Sequence, residues 1–360
     1  MVVYLFLAIG AVLPINTPLE IWLAMLTFVF AFGLLFRPLI WINELLTAII
    51  FVSPFIVIFS VGIMKTYYLD YALMKFDGAV LTTIVTTTLF GTLLRVYGTE
   101  IVLKKLLFTI LIIFILTLLY KLRFGFWDRG VRFFINGPIV FGWMMSAGAI
   151  ISLIYFQKTT QIRYFTIYVV LFCAVLWTLS KGPLLSLSCV SFFVLMRFGN
   201  IKRNLLFLIG ASLAFLTLIN LLPIDQLERL SAISRLLSGQ TIEADAGSLG
   251  TRMAMIPKSI EIIEKNTLYG VGLGNWKDHA GSLGYYVYPH NILLEVFSEI
   301  GFLGGMIFAI AIVCLWLNCP KEGQAISLVF LLGSLVSGDA AYLRLPLTIL
   351  IAFQRKSLTR

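Results

Sequence analysis

Charge is scarce in this sequence: Lys, Arg, Asp and Glu make up only 12% of its 360 residues, against 60% hydrophobic ones. A soluble fold of that length would need far more polar surface, so water is excluded as the main solvent and lipid takes its place. Acids are scarcer than bases, 17 against 27, for a formal net charge of +10. Beside a bilayer such an excess collects at anionic headgroups and cytoplasmic loops, so membrane lipids are the expected partner and nucleic acid is not. Cysteine is sparse, and Cys173, Cys189, Cys314 and Cys319 lie in or beside apolar segments without CxxC spacing. That excludes a disulfide framework and a zinc site and leaves packing roles. With only His279 and His290 as histidines and no carboxylates clustered at metal spacing, no metal and no cofactor is expected. Val2 to Leu13 has no basic stretch before it, and Pro14 follows instead of a small-residue cleavage site, which reads as a short first span and not a removable signal. No internal repeat of the kind that marks many transporters is evident.

Apolar runs dominate what is present. They cover roughly Val2 to Leu13, Leu19 to Phe36, Leu39 to Ile63, Ala79 to Tyr97, Val102 to Tyr120 and Ile139 to Phe156. Six more follow at Ile162 to Leu179, Leu184 to Met196, Leu205 to Leu222, Ile292 to Leu317, Ala325 to Val336 and Ala341 to Phe353. Open sheet edges do not survive in lipid, so the expected fold is all-α: a polytopic membrane bundle of about 12 transmembrane helices. With the N-terminus inside, Arg37, Lys104, Lys105, Lys158, Arg163, Arg197, Lys202, Arg203, Lys321, Arg355, Lys356 and Arg360 all face the cytoplasm, which puts both termini there. One short outer loop breaks the rule, because Lys121, Arg123, Arg129 and Arg132 sit together between the fifth and sixth spans. The long hydrophilic stretch Pro223 to Tyr288 also falls outside. Within it Gln226 to Leu237 and Thr251 to Lys265 read as helices, the second with Met253, Ile256, Ile260 and Ile263 on a face suited to the membrane surface. Ser238 to Gly250 between them reads as a mobile connection. Three parts result: an N-terminal bundle of about nine spans over 1–222, a large extracytoplasmic loop over 223–290, and C-terminal helices with a basic tail over 291–360.

Where the long loop re-enters the membrane stands Tyr288-Pro289-His290-Asn291, with Glu295, Glu299, Gly301, Gly304 and Gly305 along the next helix. His290-Asn291, nine residues, Gly301, two residues and Gly304 is similar to the signature of the O-antigen ligase and polymerase superfamily. Gly250-Thr251-Arg252 and the run Leu268-Tyr269-Gly270-Val271-Gly272-Leu273-Gly274-Asn275 resemble that family's segment before the histidine. Ser180-Lys181-Gly182 resembles its Ser-Arg-Gly element, with a lysine where the arginine stands, and an ammonium lacks the two-donor fork of a guanidinium. The resemblance implies a metal-independent glycosyltransferase of the bacterial inner membrane. Its donor would be an undecaprenyl-diphosphate-linked oligosaccharide, its second substrate an acceptor glycan, and a chain-length regulator a further partner.

The residue types suit that chemistry. A sugar hydroxyl is a weak nucleophile near neutral pH, and a histidine placed to accept its proton, here His290, lowers the barrier. The lipid diphosphate gains negative charge as it leaves, and guanidinium groups such as Arg252 can meet it. Arg123, Arg129 and Arg132, flanked by Phe124, Phe126 and Trp127, fit either headgroups or a lipid diphosphate, since the physics is the same. Lys181 and Arg344 are further candidates for the substrate's anion, although Arg344 could equally partner Asp339. Asn291, Glu295 and Glu299 are candidates for sugar contacts. The two glutamates, one turn apart, could instead orient His290 or satisfy polar groups at the membrane edge. His279, without such context, reads as a solvated loop residue, and the Gly270, Gly272, Gly274 run reads as a turn, because no GK[ST] follows it.

Two activities fit the resemblance: polymerases join lipid-linked repeat units, and ligases move the finished glycan onto a lipid A core. The compact length and divergent first half favour the polymerase. A flippase for lipid-linked sugars is the alternative of another class. It would call for repeat symmetry and midplane polar sites, whereas the polar residues here gather in one outer loop and in the basic segment between the fifth and sixth spans.

Overall fold

The computed structural model describes residues 35, 37–128, 131, 133, 137–199, 204 and 247–354. The expected spans Val2 to Leu13 and Leu205 to Leu222 lie outside these residues, as do Gln226 to Leu237 and, apart from Leu35, Leu19 to Phe36. Every regular element among the described residues is helical. In chain order they are α1 (Pro38–Ile63), α2 (Leu69–Phe76), a π-turn (Asp77–Leu81), α3 (Thr82–Phe124), α4 (Pro138–Thr159), α5 (Ile162–Trp177), α6 (Lys181–Phe198) and α7 (Gly247–Lys265). Then come α8 (Trp276–His279), a 3-10 turn (Gly281–Tyr285), α9 (Ile292–Leu317), α10 (Lys321–Ser337), a second 3-10 turn (Ala340–Leu343) and α11 (Arg344–Gln354).

Five of these stretches are long and apolar enough to cross a membrane: Pro38–Ile63, Leu69–Phe124, Pro138–Thr159, Lys181–Phe198 and Ile292–Leu317. Ile162–Trp177 and Ala340–Gln354 are shorter apolar helices. The expected fourth and fifth spans are two arms of one continuous stretch, folded at Gly98, whose φ of 77° and ψ of 158° leave the helical region. Gly250, expected in a mobile connection, belongs instead to α7, which starts at Gly247.

The chain divides into two compact units. The first holds the described parts of 103–247 together with 328–333. Its centre is α4, in which every residue from Val140 to Gln157 is buried, as expected of a helix apolar all round. Small residues let neighbours approach: a Cβ at Gly142 would lie 2.8 Å from Pro183, and one at Gly148 would lie 2.9 Å from both Ile110 and Leu171.

The second unit holds the described parts of 13–102, 248–327 and 334–360. In it α1 packs along α9, with Phe55 edge-on to Phe308 at 5.8 Å between ring centroids. The segment between α6 and α9 carries a small core of its own, in which Met255 and Ile262 of α7 close over Val271, Trp276 and Ala280. Trp276 Nε1 donates to Ser259 Oγ at 3.0 Å inside it. α7 therefore has two apolar faces. Met255 and Ile262 are buried, whereas Met253, Ile256 and Ile260 are exposed.

Candidate active site

The site in the second unit is built around a helix broken at a glycine. Gly301 has φ 80° and ψ 179°, which cuts α9 into a half-helix of nine residues, 292–300, and a long arm that runs on to Leu317. Breaking a helix frees backbone carbonyls, and at membrane depth these need partners. The glycine-rich run supplies them: Val271 N–H donates to Ser298 O at 3.0 Å and Gly272 N–H to Glu299 O at 2.9 Å. Leu273 N–H donates to Gly62 O at 3.0 Å, near the end of α1. Phe302 N–H, beyond the break, donates to Thr267 O at 2.6 Å.

Glycine is required in this run because Gly270 has φ +62° and Gly272 φ +99°, and a Cβ at either would meet backbone atoms at 2.5–2.6 Å. Asn275 locks the run: its Nδ2 donates to Lys65 O and Val271 O, and its Oδ1 accepts from Tyr67 N–H and Thr66 Oγ1.

His290 stands at the head of the half-helix. Asn291 is the N-cap, its Oδ1 accepting from Leu293 N–H at 3.0 Å and Leu294 N–H at 3.2 Å. That gives Asn291 an architectural task its sequence position alone did not reveal. His290 itself has φ +54°, a left-handed backbone that an L-residue holds only when its surroundings insist. The Tyr288 ring meets the imidazole edge-on at 4.4 Å, and Tyr286 stands at 6.2 Å. Nδ1 is buried without a hydrogen-bond partner among the described residues. Burial, and then the nearby positive charge of half-buried Arg252, pull the imidazole pKa down to about 4, so the ring is neutral at physiological pH. Burial is also the main cause that lowers the pKa of Arg252 itself.

Glu295 and Glu299 turn to one cation. Lys75 Nζ donates to both oxygens of Glu299 at 2.8 Å and lies 2.6 Å from Glu295 Oε1. All three side chains are 0% exposed, so water does not screen them. The Glu295 contact is an ion pair outside hydrogen-bonding geometry, which leaves both Glu295 oxygens without a hydrogen bond among the described residues. Lys75 also lies over the Tyr71 ring, 4.8 Å from its centroid. Just after it the chain runs through the π-turn, where a Cβ on Gly78 would lie 2.7 Å from the Cβ of Ala341. Asp339 opens the 3-10 turn there, accepting from Ala341 N–H at 2.6 Å. Arg344, buried, stands over the Tyr342 ring at 5.7 Å, with Asp339 and Asp77 as its neighbouring negative charges.

The structure thus gathers His290, Arg252, Asn291, Glu295, Glu299 and Arg344 in one unit, whereas Arg123 and Lys181 belong to the other. Arg129 and Arg132 lie outside the described residues. Arg123 is exposed beside the Phe124 ring. Both Arg123 and Lys121 belong to the last turn of α3 and not to a loop; Lys121 is buried, donating to Asp128 O and Val131 O, and Trp177 Nε1 donates to Phe126 O at 2.9 Å. Lys181 opens α6 after its N-cap Ser180, which follows Leu179, whose φ is +52°. No group of three or more His, Cys, Asp or Glu side chains among the described residues stands close enough to hold a metal ion.

Residues 166–309 match the model of the O-antigen ligase family. This stretch is similar to that family. The match supports the O-antigen ligase and polymerase superfamily, whose members are glycosyltransferase-like membrane enzymes of polysaccharide biosynthesis. No curated protein matches the chain. The matched stretch contains Lys181, Arg252, the glycine-rich run, His290, Asn291, Glu295, Glu299, Gly301 and Gly304. Lys75 and Arg344 fall outside it, and Lys75 was missed in the sequence. The signal that could have exposed it was a lone lysine four residues after Tyr71 and two before Asp77, at the mouth of an apolar span.

Proposed function

We propose that the protein is a surface-polysaccharide polymerase, joining undecaprenyl-diphosphate-linked repeat units on the periplasmic face of the bacterial inner membrane. The observation that carries this reading is His290: a neutral imidazole with a buried, unbonded ring nitrogen, held in a left-handed backbone at the head of a half-helix beside Arg252. His290 accepts the proton of the acceptor hydroxyl as its oxygen attacks the anomeric carbon of the donor. The bond from that carbon to the diphosphate oxygen breaks, and the electron pair leaves with the lipid diphosphate. Arg252 meets the growing charge, and Arg344 in the same unit is a further cation proposed for the donor, while Arg123, Arg129, Arg132 and Lys181 remain candidates from the sequence alone. No metal is required by this chemistry.

In this reading the bundle has about 12 spans, both termini are cytoplasmic, and the site loop is periplasmic. A chain-length regulator is the proposed protein partner. The second reading, a ligase that transfers the glycan to a lipid A core, is favoured by the family the chain matches, which is named for that activity.

The test is product capture with purified protein and the lipid-linked glycan pool extracted from the native host. New glycosidic bonds between repeat units support the polymerase. Transfer only to added lipid A core selects the ligase, and transbilayer movement without a new bond overturns both. His290→Ala is expected to keep normal abundance and to lower product formation by about 10² or more, the size of a lost general base. A fully active His290→Gln variant would remove the histidine from the reaction.

A further inference from the structure

The half-helix that follows His290 is packed through Ile292, Val296, Ser298 and Ile300, all buried, but few polar contacts fix its setting. Its nine residues are severed from the long arm at Gly301, its head turns through a left-handed histidine, and its tail is joined to the glycine-rich run by two hydrogen bonds. One buried side chain grips its flank. Glu295 and Glu299 are four residues apart and therefore project from the same face, and Lys75 meets both at 2.6–2.8 Å. Lys75 belongs to α2, whose own setting is fixed by the π-turn and by the Tyr71 ring against Gly274, where a Cβ would lie 2.8 Å from the ring. The ratio is uneven. One ammonium faces two carboxylates in a place water does not reach, an arrangement poorly suited to stability alone, because buried ion pairs barely repay their desolvation.

We infer that Lys75 is a positioning residue for the reaction: by holding Glu295 and Glu299 it fixes the half-helix, and so sets where His290 meets the acceptor hydroxyl. This rests on the glycosyl-transfer reading given above. Lys75 touches neither substrate nor His290 in this role. Its loss misplaces the base without removing any group that binds donor, so turnover suffers and donor affinity does not.

The experiment compares variants of the full-length protein in liposomes of phosphatidylethanolamine and phosphatidylglycerol, with the extracted lipid-linked glycan pool as donor. Lys75→Met is expected to lower kcat about tenfold or more while KM for donor stays within about twofold, as expected for a displaced catalytic group. Lys75→Arg should recover most of that loss, since a guanidinium can span two carboxylates and lie over Tyr71. Wild-type kcat in Lys75→Met, or an equal rise in KM with no change in kcat, overturns the inference. Should Lys75→Met fail to accumulate, Glu299→Gln replaces it, because that variant keeps one carboxylate for one ammonium. A fall in its kcat at constant KM supports the inference, and unchanged kcat overturns it. His290→Ala run alongside separates the two ideas. If it is inactive while Lys75→Met is normal, only the role of Lys75 falls; if it is fully active, the catalytic reading falls and takes this inference with it.

Discussion

The base proposed here must stay unprotonated near neutral pH, and the setting of His290 keeps its imidazole neutral there. Burial is the larger cause of its low pKa and the charge of Arg252 the second. A neutral imidazole is the active form, so activity is lost as pH falls through the folded-state value of about 4, and not near 6.5, where an ordinary histidine would lose it. Product formation is therefore expected to be flat from neutral pH down to about pH 5.5 and to decline only below it. Arg252→Gln removes one of the two causes, so its acid limb should move to higher pH, along with weaker handling of the diphosphate. A pH–rate profile of both proteins checks this, and superimposable limbs would mean that Arg252 does not act on His290. His290 and Arg252 were legible in the sequence because short spacings carry them. Lys75 was not, because the carboxylate it bonds lies 224 positions away and only the fold unites them.

At the scale of elements, the glycine-rich run gives up its resemblance to a phosphate loop for a physical reason. The N–H groups of Val271, Gly272 and Leu273 are already donated to Ser298 O, Glu299 O and Gly62 O, and spent donors do not cradle an anion. The turn read from the sequence is there, but what it does for the ends of two other helices depends on contacts no local pattern encodes.

The glycines then sort by what surrounds them. Gly272→Ala and Gly301→Ala combine a left-handed backbone with a Cβ driven into neighbouring backbone, so both should sharply reduce folded protein. Gly281 has φ +60° with nothing within 4 Å, so Gly281→Ala should cost only about 1 kcal/mol, the price of the backbone alone. Abundance and melting temperature in detergent check the contrast, and equal effects at all three positions would refute it. The apolar face of α7 was also only half legible. Met253, Ile256 and Ile260 kept helical spacing and stayed exposed, but the helix packs through Met255 and Ile262, whose partner Trp276 lies beyond the next turn.

For the whole molecule, hydropathy was informative where runs were long. Leu39 to Ile63, Ile139 to Phe156 and Ile292 to Leu317 correspond closely to α1, α4 and α9. The break at Gly98 falls between two expected spans and separates them within one helical stretch, because a single glycine can end a helix without any polar loop to announce it. The proposed orientation predicts that a tag inserted between Ser238 and Ala246 is reached by reagents in spheroplasts, whereas a tag after Arg360 is reached only in inverted vesicles. The reverse pattern would move the site to the cytoplasmic side and away from any acceptor outside.

The break at Gly301 also ties the site to the thickness of the bilayer. The long arm from Phe302 to Leu317 spans only about 24 Å at the rise of an α-helix, less than the ~30 Å of a hydrocarbon core. In the proposed topology the half-helix makes up the difference, so hydrophobic mismatch would act where the chain is cut. A thicker membrane would draw the head of that segment toward the acyl chains and a thinner one would lift it toward the aqueous phase, which makes lipid composition a setting for where the imidazole stands relative to the diphosphate plane.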